Sequence, residues 1–171
     1  QAGLNQFAIS LAYLDERHDA ARGIPGLAAK ILDTVPRMRA LGIDGIRFNT
    51  VIKRSNLDEL MPIVRRAEAL GVGVSFSAYT DAKNGNRDHL VSRDEQQHLD
   101  EVIAELLAFK RRKRGVIVSS DHYLQRVPRF FSGAMDDSCN SGVRTVHIDP
   151  AEQVRRCPDF PSDYHWRDFE R

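Results

Sequence analysis

Short apolar segments alternate with amphipathic helical segments along most of this chain, and that repeat limits the fold more than any other feature. Residues 7–11, 46–52 and 72–77 have the composition of buried strands, and residues 116–118 form a shorter fourth candidate. Strand starts that lie roughly 30 to 40 residues apart predict parallel strands joined by right-handed helical crossovers. The sequence therefore predicts an α/β fold.

Helical periodicity fills the intervals between these strands. The first apolar stripe crosses Pro36, where we expect a kink. Its apolar members are Leu27, Ile31, Val35, Met38 and Leu41. Asn56 with Glu59, and Ser92 with Glu95, form capping-box patterns that predict the beginnings of two further helices.

Both faces of each predicted strand look apolar, as in a parallel sheet that helices cover on both sides. Functional side chains are then expected at the carboxyl ends of the strands and in the loops that follow them. The first of these predicted loops covers residues 12–26. The polar residues near those ends are Ser10, Asn49, Thr50, Ser77 and Tyr79.

Length and composition exclude several classes of protein. At 171 residues the chain is too short for a complete eight-stranded βα barrel, which needs about 250 residues. A net charge of +1 gives no support for binding to nucleic acid or to an acidic membrane surface. No apolar run approaches the roughly 20 residues that span a bilayer. Two cysteines are too few for a disulfide framework, so we expect a cytoplasmic protein.

The organisation changes near residue 120, and we predict a boundary there between two regions, 1–119 and 120–171. The second region begins with a short helical segment over residues 121–131. Its residues 139–157 indicate a small β-hairpin module, with a strand over 144–148 that leads into an Asp-Pro turn.

Several stretches resemble radical S-adenosylmethionine (SAM) enzymes, in the order and spacing of that superfamily. Residues 2–23, with Ile-Ser-Leu at 9–11, His-Asp at 18–19 and Arg-Gly at 22–23, resemble the fourth barrel strand and its loop. Residues 49–60 resemble the fifth strand and helix, and residues 70–76 resemble the approach to the sixth strand. The stretch from Cys139 to Cys157 resembles the start of a SPASM or twitch extension, which binds an auxiliary iron–sulfur cluster.

The resemblance implies a partial parallel βα barrel of the radical SAM type, units four to six, followed by a truncated SPASM/twitch-like extension. It implies that a [4Fe–4S] cluster reductively cleaves SAM to a 5′-deoxyadenosyl radical, which abstracts hydrogen from a peptide or small-molecule substrate. The electron would come from a donor such as flavodoxin or ferredoxin. The matching SAM-binding positions are Ser10, Arg22, Asn49 and Thr50, and the candidate auxiliary-cluster ligands are Cys139 and Cys157.

The chain also departs from this superfamily. The defining C-x3-C-x2-C loop and the first three strands have no counterpart here, Ala12 replaces the usual Asp, and Glu152 replaces the usual Gly of the extension. We therefore expect a fragment of a longer enzyme that is inactive alone. The alternative is a non-catalytic α/β binding or interaction domain on the same scaffold. A fragment of an unrelated βα-barrel aldolase or isomerase is a third interpretation, which the paired cysteines disfavour.

Each candidate site residue also has a structural interpretation. The strand-end candidates are small polar residues that often only close a turn, and Arg22 could be a solvated loop charge. His18 and Asp19 are adjacent in sequence, so their side chains diverge and predict no metal site.

Overall fold

The computed structural model describes residues 6–82, 84–134, 146–157 and 164–168, and its main sheet has three parallel strands in sequence order. The strands are β1 (Phe7–Ser10), β2 (Ile46–Ile52) and β3 (Gly73–Ala78). The register pairs Ser10 with Asn49, and Asn49 with Ser75. The α/β class and the parallel strands are confirmed, while closure into part of a barrel stays a prediction.

Five α-helices occur in the described part of the chain. They are α1 (Glu16–Arg22), α2 (Leu27–Ala40), α3 (Leu60–Leu70), α4 (Gln96–Arg112) and α5 (Asp121–Phe131). The expectation of a plain loop before α2 is wrong, because α1 lies there. The Asp15 carboxylate begins α1 by accepting a hydrogen bond from the Arg17 N–H. Asp19 ties α1 to α2 by accepting from the Gly26 and Ala28 N–H groups at 2.6 and 2.8 Å.

The two faces of the main sheet differ in burial, contrary to the expectation that both are apolar. The buried residues of β2 are Ile46, Phe48, Thr50 and Ile52. We call their side the covered face, because it shares one apolar core with α3, α4 and α5. Arg47, Asn49 and Val51 alternate with them and are half-buried on the other side, the open face. Alternation along a strand accounts for this division.

The two predicted capping boxes have different outcomes. Ser92 and Glu95 pair as expected, because the Ser92 N–H and hydroxyl donate to Glu95 Oε2 at 3.0 and 2.7 Å. The expectation that Asn56 begins α3 is wrong, because Asn56 lies in a 3-10 turn ahead of that helix. Its buried amide accepts from the Lys53 N–H at 3.0 Å and donates to the Val51 carbonyl at 2.9 Å. Asn56 therefore fixes the chain where β2 ends.

The two edge strands of the main sheet differ in their hydrogen-bond partners. Along β3, the Val74 N–H donates to the Val116 carbonyl and the Val118 N–H donates to the Val74 carbonyl, so the predicted fourth strand is a single bridge. The Tyr123 hydroxyl accepts a further hydrogen bond from the Ala78 N–H at 2.7 Å. On the opposite edge, β1 has no neighbouring strand within the described ranges.

Helix α5 packs into the core of the main sheet. Leu124 is fully buried and Val127 is nearly so, in the same apolar cluster as Phe48. The predicted boundary between residues 119 and 120 therefore falls ahead of an element that belongs to the first core. No helix in the described ranges combines the length and the apolar character needed to cross a bilayer.

A second, antiparallel sheet occupies the described C-terminal residues. Its strands are β4 (His147–Ile148), β5 (Gln153–Arg155) and β6 (Tyr164–His165). β4 and β5 form the expected hairpin, of which residues 144 and 145 lie outside the described residues. Asp149 closes the turn by accepting from the Gln153 N–H at 3.0 Å. Glu152 has φ 61°, a left-handed conformation that favours glycine.

Candidate functional site

A groove of about 210 Å³ opens where the three parallel strands of the main sheet end. Its larger lining residues are Arg22, Asn49, Val51, Lys53, Tyr79 and His89. The carboxyl ends of parallel strands are the usual place for ligands in α/β proteins. The groove is smaller than the roughly 300–1,000 Å³ of pockets that enclose a whole ligand. It therefore suits one part of a larger molecule.

Two of the predicted SAM-binding residues, Arg22 and Asn49, line this groove together. Asn49 projects from the open face, and its Oδ1 accepts a hydrogen bond from the Ser75 hydroxyl at 3.1 Å. The amide NH₂ group of Asn49 is thereby directed away from Ser75 and is a hydrogen-bond donor for a ligand. Arg22 is exposed in the last turn of α1. The groove thus combines an oriented amide with a guanidinium group.

The other two predicted SAM-binding residues have different surroundings. Ser10 is exposed at the end of β1 and lies beside Asn49 in the register, but it is not among the groove-lining residues. Thr50 is fully buried on the covered face, where its hydroxyl donates to the Leu11 carbonyl at 2.7 Å. The neighbours Asn49 and Thr50 therefore project to opposite faces, and Thr50 fastens β2 to the end of β1.

The loop after β3 brings His89 to the groove, a residue that the sequence did not single out. Tyr79 holds this loop, because its hydroxyl donates to the Asn86 carbonyl at 2.9 Å. The rings of Tyr79 and His89 meet edge to face with their centroids 5.2 Å apart. The His89 carbonyl accepts from the Arg54 N–H at 3.0 Å. The Tyr79 contacts lie within one loop and the Arg54 contact joins that loop to the segment after β2, so no helix or strand period in the sequence indicates them.

Lys53 is a second groove residue that the sequence analysis missed. It follows the last residue of β2 and continues the alternation of Asn49 and Val51 on the open face. That alternation is the signal that could have located it. The Lys53 Nζ lies 5.0 Å from the centroid of the Tyr13 ring, within the range of a cation–π interaction.

His18 is buried close to the two cations of the groove. Its Nδ1 accepts a hydrogen bond from the Ala12 N–H at 3.3 Å, and its Nε2 has no partner among the described residues. Burial is the largest cause that lowers the pKa of His18 from its ordinary value. The positive charges of Arg22 and Lys53 lower this pKa further, and Asp19 acts in the opposite sense. The imidazole is therefore held in its neutral form.

The cysteines do not fit the cluster that cleaves SAM. A [4Fe–4S] cluster that leaves one iron open to SAM needs three thiolates, and the chain has two cysteines. Cys157 is a half-buried free thiol in the bend that follows β5, and Cys139 lies outside the described residues. Within the described ranges, no group of three or more His, Cys, Asp or Glu side chains gathers at metal-binding distance.

No known protein family and no curated protein matches this chain in sequence. The structure is similar to the crystal structure of Streptococcus suis SuiB, with a TM-score of 0.62 and 13% sequence identity. The similarity covers 88% of this chain and 37% of SuiB, so the chain spans little more than a third of that protein's length. At this identity the likeness concerns the fold alone.

Proposed function

We propose that this chain supplies part of the SAM-binding surface of a radical SAM-type barrel, where its groove contacts the ribose and the methionyl carboxylate. The observation that carries the proposal is the groove at the strand ends, which Arg22 and Asn49 line together. Two resemblances support it: the stretches shared with radical SAM enzymes, and the fold shared with SuiB, which we take to represent that class.

The side chains of the groove suit the polar groups of SAM. The guanidinium group of Arg22 can pair bidentately with the methionyl carboxylate. The oriented amide of Asn49 can hydrogen-bond a ribose hydroxyl. Ser10, beside Asn49 in the register, is proposed to reach the same sugar from the exposed end of β1. Thr50 is proposed to act on the fold, through its hydrogen bond to the Leu11 carbonyl.

SAM supplies radical chemistry only together with a [4Fe–4S] cluster, and the two cysteines of this chain cannot ligate one at SAM. We therefore assign the binding and orientation of SAM to these residues, and not its cleavage. Three further features are proposals about a longer enzyme. They are the peptide or small-molecule substrate, the flavodoxin- or ferredoxin-type electron donor, and an auxiliary cluster at Cys139 and Cys157.

A non-catalytic α/β binding domain is the second candidate, and the shortage of cysteines favours it. Such a domain would hold a nucleoside in the same groove without taking part in its cleavage. The two candidates differ in selectivity, because only a site built for SAM gains affinity from the methionyl carboxylate. A general nucleoside-binding domain would bind adenosine as tightly as SAM.

Calorimetric titration of the chain with SAM and with adenosine tests the proposal. We expect tighter binding of SAM, and we expect Arg22→Ala and Asn49→Ala each to weaken it about tenfold, or about 1.4 kcal/mol. The control Arg37→Ala removes an exposed arginine of α2 outside the groove and should change neither affinity. A chain that binds no SAM, or groove variants that bind like wild type, would contradict the proposal. Equal affinity for the two ligands would favour the second candidate.

A further inference from the structure

We infer that Lys53 joins Arg22 in a two-cation seat for a carboxylate, which makes Lys53 a ligand-binding residue that no sequence resemblance indicated. Both side chains line the groove at the ends of β1 and β2. The inference rests on the proposed function in one respect, because it takes the methionyl carboxylate of SAM as the occupant of the seat.

The charges of the seat are not balanced within the described structure. No Asp or Glu lines the groove, and neither Arg22 nor Lys53 forms an ion pair with any described residue. Other cations nearby are paired: Arg17 contacts Asp15 and Glu59 within 2.6 Å. Two like charges that border one cavity repel each other, and an anion between them would relieve that repulsion.

The ammonium group of Lys53 is held in place before any ligand arrives. Its Nζ lies over the ring of Tyr13, and the guanidinium of Arg17 lies 4.9 Å from the same ring centroid. Tyr13 is 5% exposed, and its hydroxyl lies 2.7 Å from Ser55 Oγ, so the ring cannot readily turn away. A cation that is already positioned loses less conformational entropy when it binds an anion.

His18 lies within electrostatic range of both cations of the seat. It is 1% exposed, and the groups that act on its charge are Arg22, Lys53 and Asp19. The first two disfavour an imidazolium ion from α1 and from the end of β2 respectively. An anion in the seat would screen both of them. The imidazole of His18 is therefore a built-in probe of whether the seat is filled.

Any ligand group that occupies such a seat must be an oxyanion, and both a carboxylate and a phosphate group meet that requirement. We commit to the carboxylate, because the guanidinium fork of Arg22 matches its two oxygens and the Asn49 amide alongside matches a sugar hydroxyl. The test therefore needs one ligand pair that differs in the amino-acid moiety, and one pair of simple anions.

Calorimetry with SAM and with 5′-methylthioadenosine, which lacks the carboxylate, provides the first arm. We expect Lys53→Met to weaken SAM binding about tenfold and to leave 5′-methylthioadenosine binding within about twofold of wild type. Lys53→Arg should restore SAM binding because it restores the charge. The control Lys30→Met removes an exposed lysine of α2 outside the groove and should change neither affinity. Equal effects of Lys53→Met on both ligands, or no effect on SAM, would overturn the inference.

The second arm follows the His18 ring by NMR while acetate or inorganic phosphate is added. We expect either anion to raise the pKa of His18 in wild type, and we expect the rise to vanish in Lys53→Met. No rise in wild type, or a rise that persists in Lys53→Met, would overturn the seat, whereas the first arm tests the carboxylate assignment. This arm needs no SAM. If neither nucleoside ligand binds but the rise occurs, the proposed function fails and the seat stands.

Discussion

On the covered face of the main sheet, Phe48 and Ile52 are fully buried in one core with α3, α4 and α5, whereas on the open face Asn49 and Val51 are half-buried beside the groove. The strand β2 supplies both sets from alternating positions. Its neighbours Asn49 and Thr50 are similar small polar residues, yet one borders the groove and the other bonds to the Leu11 carbonyl.

It follows from this difference that separate residues of the same strand determine stability and ligand binding. Alternation places apolar burial on one face and hydrogen-bonding groups on the other. Substitutions on the covered face should therefore appear in unfolding experiments. Substitutions on the open face should appear in binding experiments.

The largest expected effect comes from the covered face. Phe48→Ala should lower the free energy of unfolding by about 3–5 kcal/mol, because the fully buried ring leaves a cavity. The matched open-face variant Val51→Ala should cost about 1 kcal/mol or less, since Val51 is half-buried. Urea denaturation followed by circular dichroism measures both values. Equal losses of unfolding free energy in the two variants would show that the two faces are packed alike, and would contradict the difference in burial between them.

Asn56 fixes the backbone where β2 ends, and its loss should have the next largest effect. Asn56→Ala leaves the Lys53 N–H and the Val51 carbonyl without their partner and should cost about 1–3 kcal/mol. SAM affinity should fall as well, because Lys53 loses its backbone anchor. Gln97→Ala, which removes an exposed amide on α4, is the control and should change stability by less than about 0.5 kcal/mol. An Asn56 variant as stable as this control would contradict the anchoring role.

The pH dependence of stability tests whether burial and the cations of the groove both act on His18. Burial and the nearby cations hold its folded pKa below the ordinary 6.5. The unfolded chain therefore takes up a proton first as the pH falls. The contribution of neutral His18 to stability is complete above pH 6.5 and is lost as the pH falls from there through the folded pKa. His18→Gln should flatten this slope. A slope that persists unchanged in His18→Gln would contradict the role of His18.

The periodic parts of the fold were predictable from sequence, because repeated burial leaves a repeated pattern. The observed limits of β2 and α5 match the expected segments 46–52 and 121–131. The helix α1 was not predictable, because the Asp15 and Asp19 carboxylates hold its seven residues rather than an apolar stripe.

The groove was predictable only in part. A family resemblance indicated Arg22 and Asn49, which do line it. The burial of Thr50 could have been inferred from its alternation with Phe48, had β2 not been interpreted as apolar on both faces. His89 reaches the groove because Tyr79 holds the loop that carries it, and no helix or strand period in the sequence indicates those contacts.

The matched pair Asn49→Ala and Thr50→Val tests the separation of the two faces most directly, with SAM calorimetry and urea unfolding applied to both variants. Asn49→Ala should weaken SAM binding about tenfold while the free energy of unfolding changes by less than about 0.5 kcal/mol. Thr50→Val should lower the free energy of unfolding by about 1 kcal/mol, through loss of the bond to the Leu11 carbonyl, while SAM affinity stays within about twofold of wild type. The reverse pattern, or equal losses in both assays for both variants, would contradict the account.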